Sequence, residues 1–229
     1  MRLRLLALVL ACAGVSAAIA QDVSSEKGKL SYAVGYDFGR SLVDDKVDID
    51  PVTLNRAIQD GLAHRNPALP PKLMAQELQT MRQRLLAEAK AVFDKAASDN
   101  KAASDWFLAK NHARQGVKTL PNGIQYRVIE EGNGPAVRAD GQVKILYRAS
   151  ISTGQEFATS YTTQNPQPTT VVINQSPLAG IKQMLPMMRQ GARWEIVLPP
   201  DQAYGSGPGS PIGPNQAVMF DIKVVEVVR

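Results

Sequence analysis

Two hydrophobic periods divide this chain. From Ala217 onward, Val218, Phe220, Ile222 and Val224 alternate with their neighbours, the two-residue period of a strand with one buried face. Val143, Ile145 and Tyr147 form a second such run, and Trp194, Ile196 and Leu198 a third. Between them Ala179 to Met188, bounded by Pro177 and Gly191, reads as one short helix. The earlier half follows the helical period instead. Leu30, Ala33, Val34, Phe38 and Leu42 lie on one stripe, and Gly35 and Gly39, four apart, would let another helix approach closely. Asp50 and Pro51 supply the cap and first position of a second helix through Leu54, Ala57, Ile58, Leu62 and Ala63. After the breakers of 66–71, Met74, Leu78, Met81, Leu85, Ala89, Val92 and Ala96 predict a helix from about Lys72 to about Gln115. It would be about 65 Å long at 1.5 Å per residue. Its stripe thins from Ser98 to Ser104, which reads as a solvent-bridging stretch and a flex point, a lever more than a coiled coil. Helices followed by strands make an α+β chain. Tyr147, Phe157, Tyr204 and Phe220 are expected to face one apolar hollow in the sheet.

The first twenty residues change the picture of charge and address. Arg2 and Arg4 precede an apolar run, and Ala18-Ile-Ala20 before Gln21 offers a small-x-small cut, so 1–20 reads as an export signal. The alternative is lipidation at Cys12, the sole cysteine. Either way, disulfide and thiol chemistry are excluded from the rest of the chain. Without Arg2 and Arg4 the formal charge falls from +5 to +3. The basic residues are scattered and not interleaved with aromatics, so a nucleic-acid partner is not expected. Roughly 209 residues then suit two modest domains.

Other chemistry finds little support. His64 and His112 are far apart in sequence, with no cysteine or clustered carboxylate beside either, so no metal is expected. Asp44-Asp45 and Glu130-Glu131 read as solvated turn residues rather than acid–base pairs. Asn174-Gln-Ser176 matches a glycosylation acceptor, but Pro177 beside it argues against use. No glycine loop has the spacing for phosphate, and no cofactor is implied.

Several strings point further. Gly123-Ile-Gln-Tyr126, Glu131-Gly-Asn-Gly134, Thr153-Gly-Gln-Glu-Phe157, Pro200-Asp-Gln-Ala-Tyr-Gly205, Ile212 and Val218-Met-Phe220 make residues 121–229 resemble an FKBP domain. Members of that family are peptidyl-prolyl cis–trans isomerases that also bind macrolides. Lys29-Leu-Ser-Tyr-Ala-Val-Gly35 with Gly39, Ile58-Gln-Asp-Gly61 and Phe107-Leu-Ala-Lys-Asn111 make 24–115 similar to the amino-terminal domain of macrophage-infectivity-potentiator FKBPs. The resemblance implies an all-α dimerisation domain at 21–71, a connecting helix at 72–116 and an isomerase domain, an antiparallel twisted sheet around a short helix, at 117–229. It implies a homodimer through residues 24–65, periplasmic export and proline-containing unfolded polypeptides as substrates.

Carried over position by position, Tyr147, Phe157 and Phe220 would line the catalytic cup and Tyr204 would donate to the bound carbonyl. Ala203 lies beside that tyrosine, Ile212 would close the rim, and Leu178 would offer its backbone N–H. The chain also departs from the family pattern. Ala158 stands where an aspartate is usual, Ile181 replaces the floor tryptophan, Thr169 replaces an aromatic wall, and Pro177-Leu178 replaces a valine–isoleucine pair. These changes predict slowed isomerisation and weak macrolide binding. Two readings stay open, a prolyl isomerase for exported proteins and a dimeric chaperone with vestigial catalysis.

Overall fold

The computed structural model describes residues 23–228. The expected signal segment and Cys12 lie outside them, as does Arg229. The chain forms two compact units that divide within the long helix, between Leu85 and Leu86. Among the described residues no helix is long and apolar enough to cross a membrane.

In the first unit, α1 spans Glu26–Asp44 and α2 spans Pro51–Leu62, and α3, Pro71–His112, begins. Ser25 caps α1 by accepting the Gly28 N–H, and Asp50 caps α2 by accepting the Thr53 N–H at 2.7 Å. The bonds from Thr53 hold the Asp50 carboxyl below its ordinary range. Neither α1 nor α2 buries a residue. Leu30 is 67% and Phe38 46% exposed, and a Cβ added at Gly35 or Gly39 would meet nothing within 4 Å. The small-residue face expected to take a helix is thus bare in the single chain.

The second unit folds around an antiparallel sheet. Its strands are β1 (Lys118–Thr119), β2 (Gln125–Glu130), β3 (Gln142–Ile151), β4 (Glu156–Thr159), β5 (Thr169–Val172), β6 (Arg193–Leu198) and β7 (Val218–Val228). They run in the order β1-β2-β6-β7-β3-β4, with β5 also pairing β3. The pairs Trp194↔Ile222, Ile196↔Phe220 and Leu198↔Val218 put the alternating residues of β6 and β7 on one buried face. Against it lies α4 (Ala179–Met184), which buries Gly180, Ile181 and Met184 and continues as a 3₁₀ turn to Met187. The other face carries cross-strand ion pairs, Arg193–Asp221 at 2.6 Å, Arg127–Glu195 at 2.8 Å and Lys223–Glu130 at 3.2 Å. Asp221 lies on the neighbouring strand and raises the Arg193 pKa. Partly solvated pairs of this kind add little stability each.

The long helix corrects the sequence reading. It ends at His112 rather than near Gln115, and its polar stretch is docked rather than solvent-bridging. Phe93, Ala96, Ala97, Asn100, Ala103, Phe107 and Leu108 are half-buried, and Ser104 (1% exposed) and Asn111 (5%) are buried. Val92, assigned to the apolar stripe, is exposed. A continuous helical stripe therefore runs to the end of α3, with small and amide side chains interleaved between Phe93 and the Phe107–Leu108 pair. The Asn111 amide donates to Gln125 Oε1 at 2.8 Å, and the Gln125 amide donates to the Leu108 carbonyl at 3.0 Å. Buried polar groups that pair this way carry little penalty, so a stretch too polar to look like a core face packs against the sheet domain.

Candidate functional site

The register of the sheet opens a cavity of about 430 Å³ in the second unit. β3 contributes Tyr147, β4 Phe157 and Ala158, β5 Thr169, α4 with its preceding turn Leu178 and Ile181, and β7 Phe220, while Tyr204 comes from the loop after β6. All four aromatic residues expected at the hollow therefore meet there. Phe220 is paired with Ile196 on one side and Ala149 on the other, so the ladder alone fixes its height in the cup.

Tyr147 sits where β3 leaves β4. Its N–H donates to Ser160 Oγ at 2.8 Å, and its carbonyl accepts the Ser160 N–H at 2.9 Å. Tyr204 is placed by the turn that Pro200 starts. The Ala203 and Gly205 N–H groups both donate to the Pro200 carbonyl, at 3.1 and 2.8 Å. Gly205 takes φ +77°, a conformation glycine adopts at no steric cost. The Tyr204 ring meets Phe157 edge-on, at 6.1 Å between centroids and 75° between planes. Among the described residues its hydroxyl has no hydrogen-bond partner. Burial, and secondarily the nearby Tyr147 phenol, push its pKa above the ordinary tyrosine value.

Two expected substrate contacts are not at the cavity. Ala203 and Ile212 are half-buried against the core cluster but do not line the cup. Ala203 is taken up by the turn hydrogen bond, and Ile212 packs onto the core from the loop. The Leu178 N–H, expected to be offered to substrate, donates to Ser176 Oγ at 3.3 Å. That is a long bond, weak enough for a carbonyl to replace. Ile181 is buried and lines the cavity, as its place in α4 requires.

The sequence reading missed part of the lining: Thr170, Val171, Val172, Gln175 and Ser176 belong to it, between the Thr169 and Pro177 already noted. β5 escaped because Thr169-Thr-Val-Val172 does not alternate, although a β-branched run was itself a signal. Among the described residues, no Asp, Glu, Lys, Arg or His lines the cavity. His112 bonds the Thr119 hydroxyl at 2.9 Å instead, and His64 follows the end of α2. Glu130 ends β2 and pairs with Lys223, a strand position where a turn was expected. An apolar cup with phenol and backbone donors suits a reaction that moves no proton.

Known proteins align with both halves. The domain amino-terminal to FKBP-type peptidyl-prolyl isomerases matches residues 27–128, and the FKBP-type peptidyl-prolyl cis–trans isomerase domain matches residues 134–225. The outer membrane protein MIP of Legionella longbeachae is 33% identical over 216 residues, 94% of this chain and 91% of that protein. The peptidyl-prolyl cis–trans isomerase Mip of Coxiella burnetii is 32% identical over 217 residues, 94% of this chain and 93% of its own. The crystal structure of FkpA from Escherichia coli superposes with a TM-score of 0.65 at 29% identity, covering 89% of this chain and 97% of that one. Likeness at this level across both halves shows that the chain belongs to the FKBP-type peptidyl-prolyl cis–trans isomerases, and within them to the macrophage infectivity potentiator type.

Proposed function

We propose that the chain isomerises X–Pro bonds of exported polypeptides, more slowly than relatives that keep the usual aspartate and tryptophan. Rotation about the X–Pro bond crosses a barrier of about 18–20 kcal/mol because amide resonance is lost, and uncatalysed it takes roughly tens to hundreds of seconds. The twisted amide is less polarised than the planar one, so a dry apolar cup favours it. Tyr147, Phe157 and Phe220 supply that cup. Tyr204 donates its unpaired hydroxyl to the substrate carbonyl, and the Leu178 N–H exchanges its long bond to Ser176 for a second contact.

The single observation that carries the slowed rate is the lining itself. Ala158 and Ile181 occupy the cup where a carboxylate and an indole would orient and floor it. The double substitution Ala158→Asp with Ile181→Trp should therefore raise kcat/KM on a short proline peptide about tenfold and tighten macrolide binding. An unchanged rate in the folded double variant, or a parent rate equal to that of a relative carrying both residues, refutes the slowed site.

A dimeric periplasmic chaperone is the second reading, favoured by the bare apolar residues of α1 and α2. Export rests on the amino-terminal signal pattern and on likeness to a relative called an outer membrane protein. In this reading, two copies associate through residues 24–65. A Phe157→Ala variant, assayed for isomerisation and for suppression of aggregation, separates the two. Loss of the first with survival of the second means that both activities exist, and loss of neither means that the hollow is structural.

A further inference from the structure

The polar stretch of α3 grips one loop of the isomerase unit, and that loop joins two of the cup's aromatics. Asn100 Nδ2 donates to the Pro214 carbonyl at 2.9 Å. Ser104 Oγ donates to the Asn215 carbonyl at 2.8 Å and accepts the Ala217 N–H at 2.7 Å. Asn215 returns the contact, its side-chain amide donating to the Ala97 carbonyl at 3.0 Å. Four bonds to a segment of four residues leave it little freedom.

Asn215 is the pivot. Its backbone takes φ +57°, a left-handed conformation that few side chains other than asparagine tolerate. Its own N–H donates to the Gly205 carbonyl at 3.0 Å, one residue after Tyr204. Three residues further on, Val218 opens β7, which carries Phe220. The residue that α3 holds is therefore hydrogen-bonded to the neighbour of the phenol-bearing residue on one side and stands a few residues before the phenyl on the other. Gly213 fits the same grip, since a Cβ there would stand 3.3 Å from Asn100 Nδ2.

We propose that residues 97–104 of α3 are a positioning element of the isomerase site, setting through Asn215 where Tyr204 stands relative to Phe220. This deepens the reading above and rests on Tyr204 being the donor. Ser104 and Asn215 are positioning residues, because they act on the phenol through the Gly205 carbonyl and do not touch the cup. Displacements well below an ångström at a donor lower turnover more than binding when the bond strengthens in the transition state. Any event that shifts this part of α3 then changes catalysis, so the helix is a place where isomerase activity can be regulated.

The test uses the full chain with Asn215→Gly, which keeps the left-handed backbone and removes only the amide, and with Ser104→Ala and Ser104→Thr. Steady-state kcat and KM on a short proline peptide are measured beside thermal unfolding and the amide chemical shifts of Tyr204 and Gly205. The expected result is a kcat lower by about tenfold in Asn215→Gly and Ser104→Ala, KM nearly unchanged, both amide shifts moved, and recovery in Ser104→Thr. A kcat within about twofold of the parent in Asn215→Gly and Ser104→Ala, with the Gly205 amide unmoved, overturns the proposal whatever the unfolding temperature does. Tyr204→Phe is run alongside. Full activity in that variant defeats the donor reading, whereas activity lost there but kept in the α3 and loop variants defeats the positioning role alone.

Discussion

Burial holds the Tyr204 phenol above the ordinary tyrosine value of 10.0, which keeps it neutral, and therefore a donor, throughout the neutral range. The folded chain binds that proton more tightly than the unfolded chain does. Any stability it lends is complete below the unfolded pKa and is lost as pH rises through the folded one. Isomerisation should accordingly stay flat from neutral pH upward and fall only in the alkaline limb where tyrosinate absorbance appears. A decline that precedes that absorbance would assign the loss to another group. Removing the hydroxyl with Tyr204→Phe should lower kcat/KM about tenfold, the worth of one hydrogen bond, and leave thermal stability nearly unchanged because the hydroxyl has no partner among the described residues. At this scale the sequence was informative for side chains whose identity is their role: the four aromatics of the cup meet as expected. It did not show that Ala203 and Ile212 stand off the cavity lining, because a loop's sequence does not say which of its residues turn inward and which are used by the turn itself.

Gly180 shows how an element's position depends on an absent side chain. A Cβ there would lie 2.3 Å from Leu198 Cδ2 and 3.0 Å from the Gln202 carbonyl, so α4 approaches β6 only because the residue is glycine. Gly180→Ala should cost about 1–3 kcal/mol of stability, the usual range for overpacking. It should also slow isomerisation, since Gln202 leads directly into Ala203 and Tyr204. Urea denaturation and peptide turnover measured on one preparation check both, and a variant as stable as the parent would show that Leu198 repacks freely. β3, β6 and β7 were legible because alternation marks a half-buried strand. The docked end of α3 was not. Between Ala96 and Ser104 its inward face consists of alanine, asparagine and serine, which hydropathy cannot tell from a solvated face. Only the partners at Asn215, Ala217 and Gln125, far off in sequence, reveal that those amides and hydroxyls are satisfied.

For the molecule as a whole the unanswered physical problem is the bare apolar surface of its first unit. Leu30, Tyr32, Val34, Tyr36 and Phe38 are all exposed on α1, and Val52 and Leu62 on α2. Soluble chains seldom leave so many large apolar groups in water without a covering partner. Neither helix buries a residue of its own, so little in a single copy offsets the conformational entropy of ordering them. A second copy of the same surface would supply the missing contacts. The Gly35 and Gly39 positions, with open space where a Cβ would stand, allow backbones to approach closely. Phe38→Glu should therefore shift the sedimenting species from dimer to monomer and lower the melting temperature of the first unit. The isomerase unit has its own core, so kcat/KM on a short proline peptide should remain within about twofold of the parent, while suppression of aggregation by an unfolded client declines. A Phe38→Glu chain that stays dimeric would place the contact elsewhere. One that turns monomeric yet still suppresses aggregation would put client binding in the isomerase cup rather than between the copies.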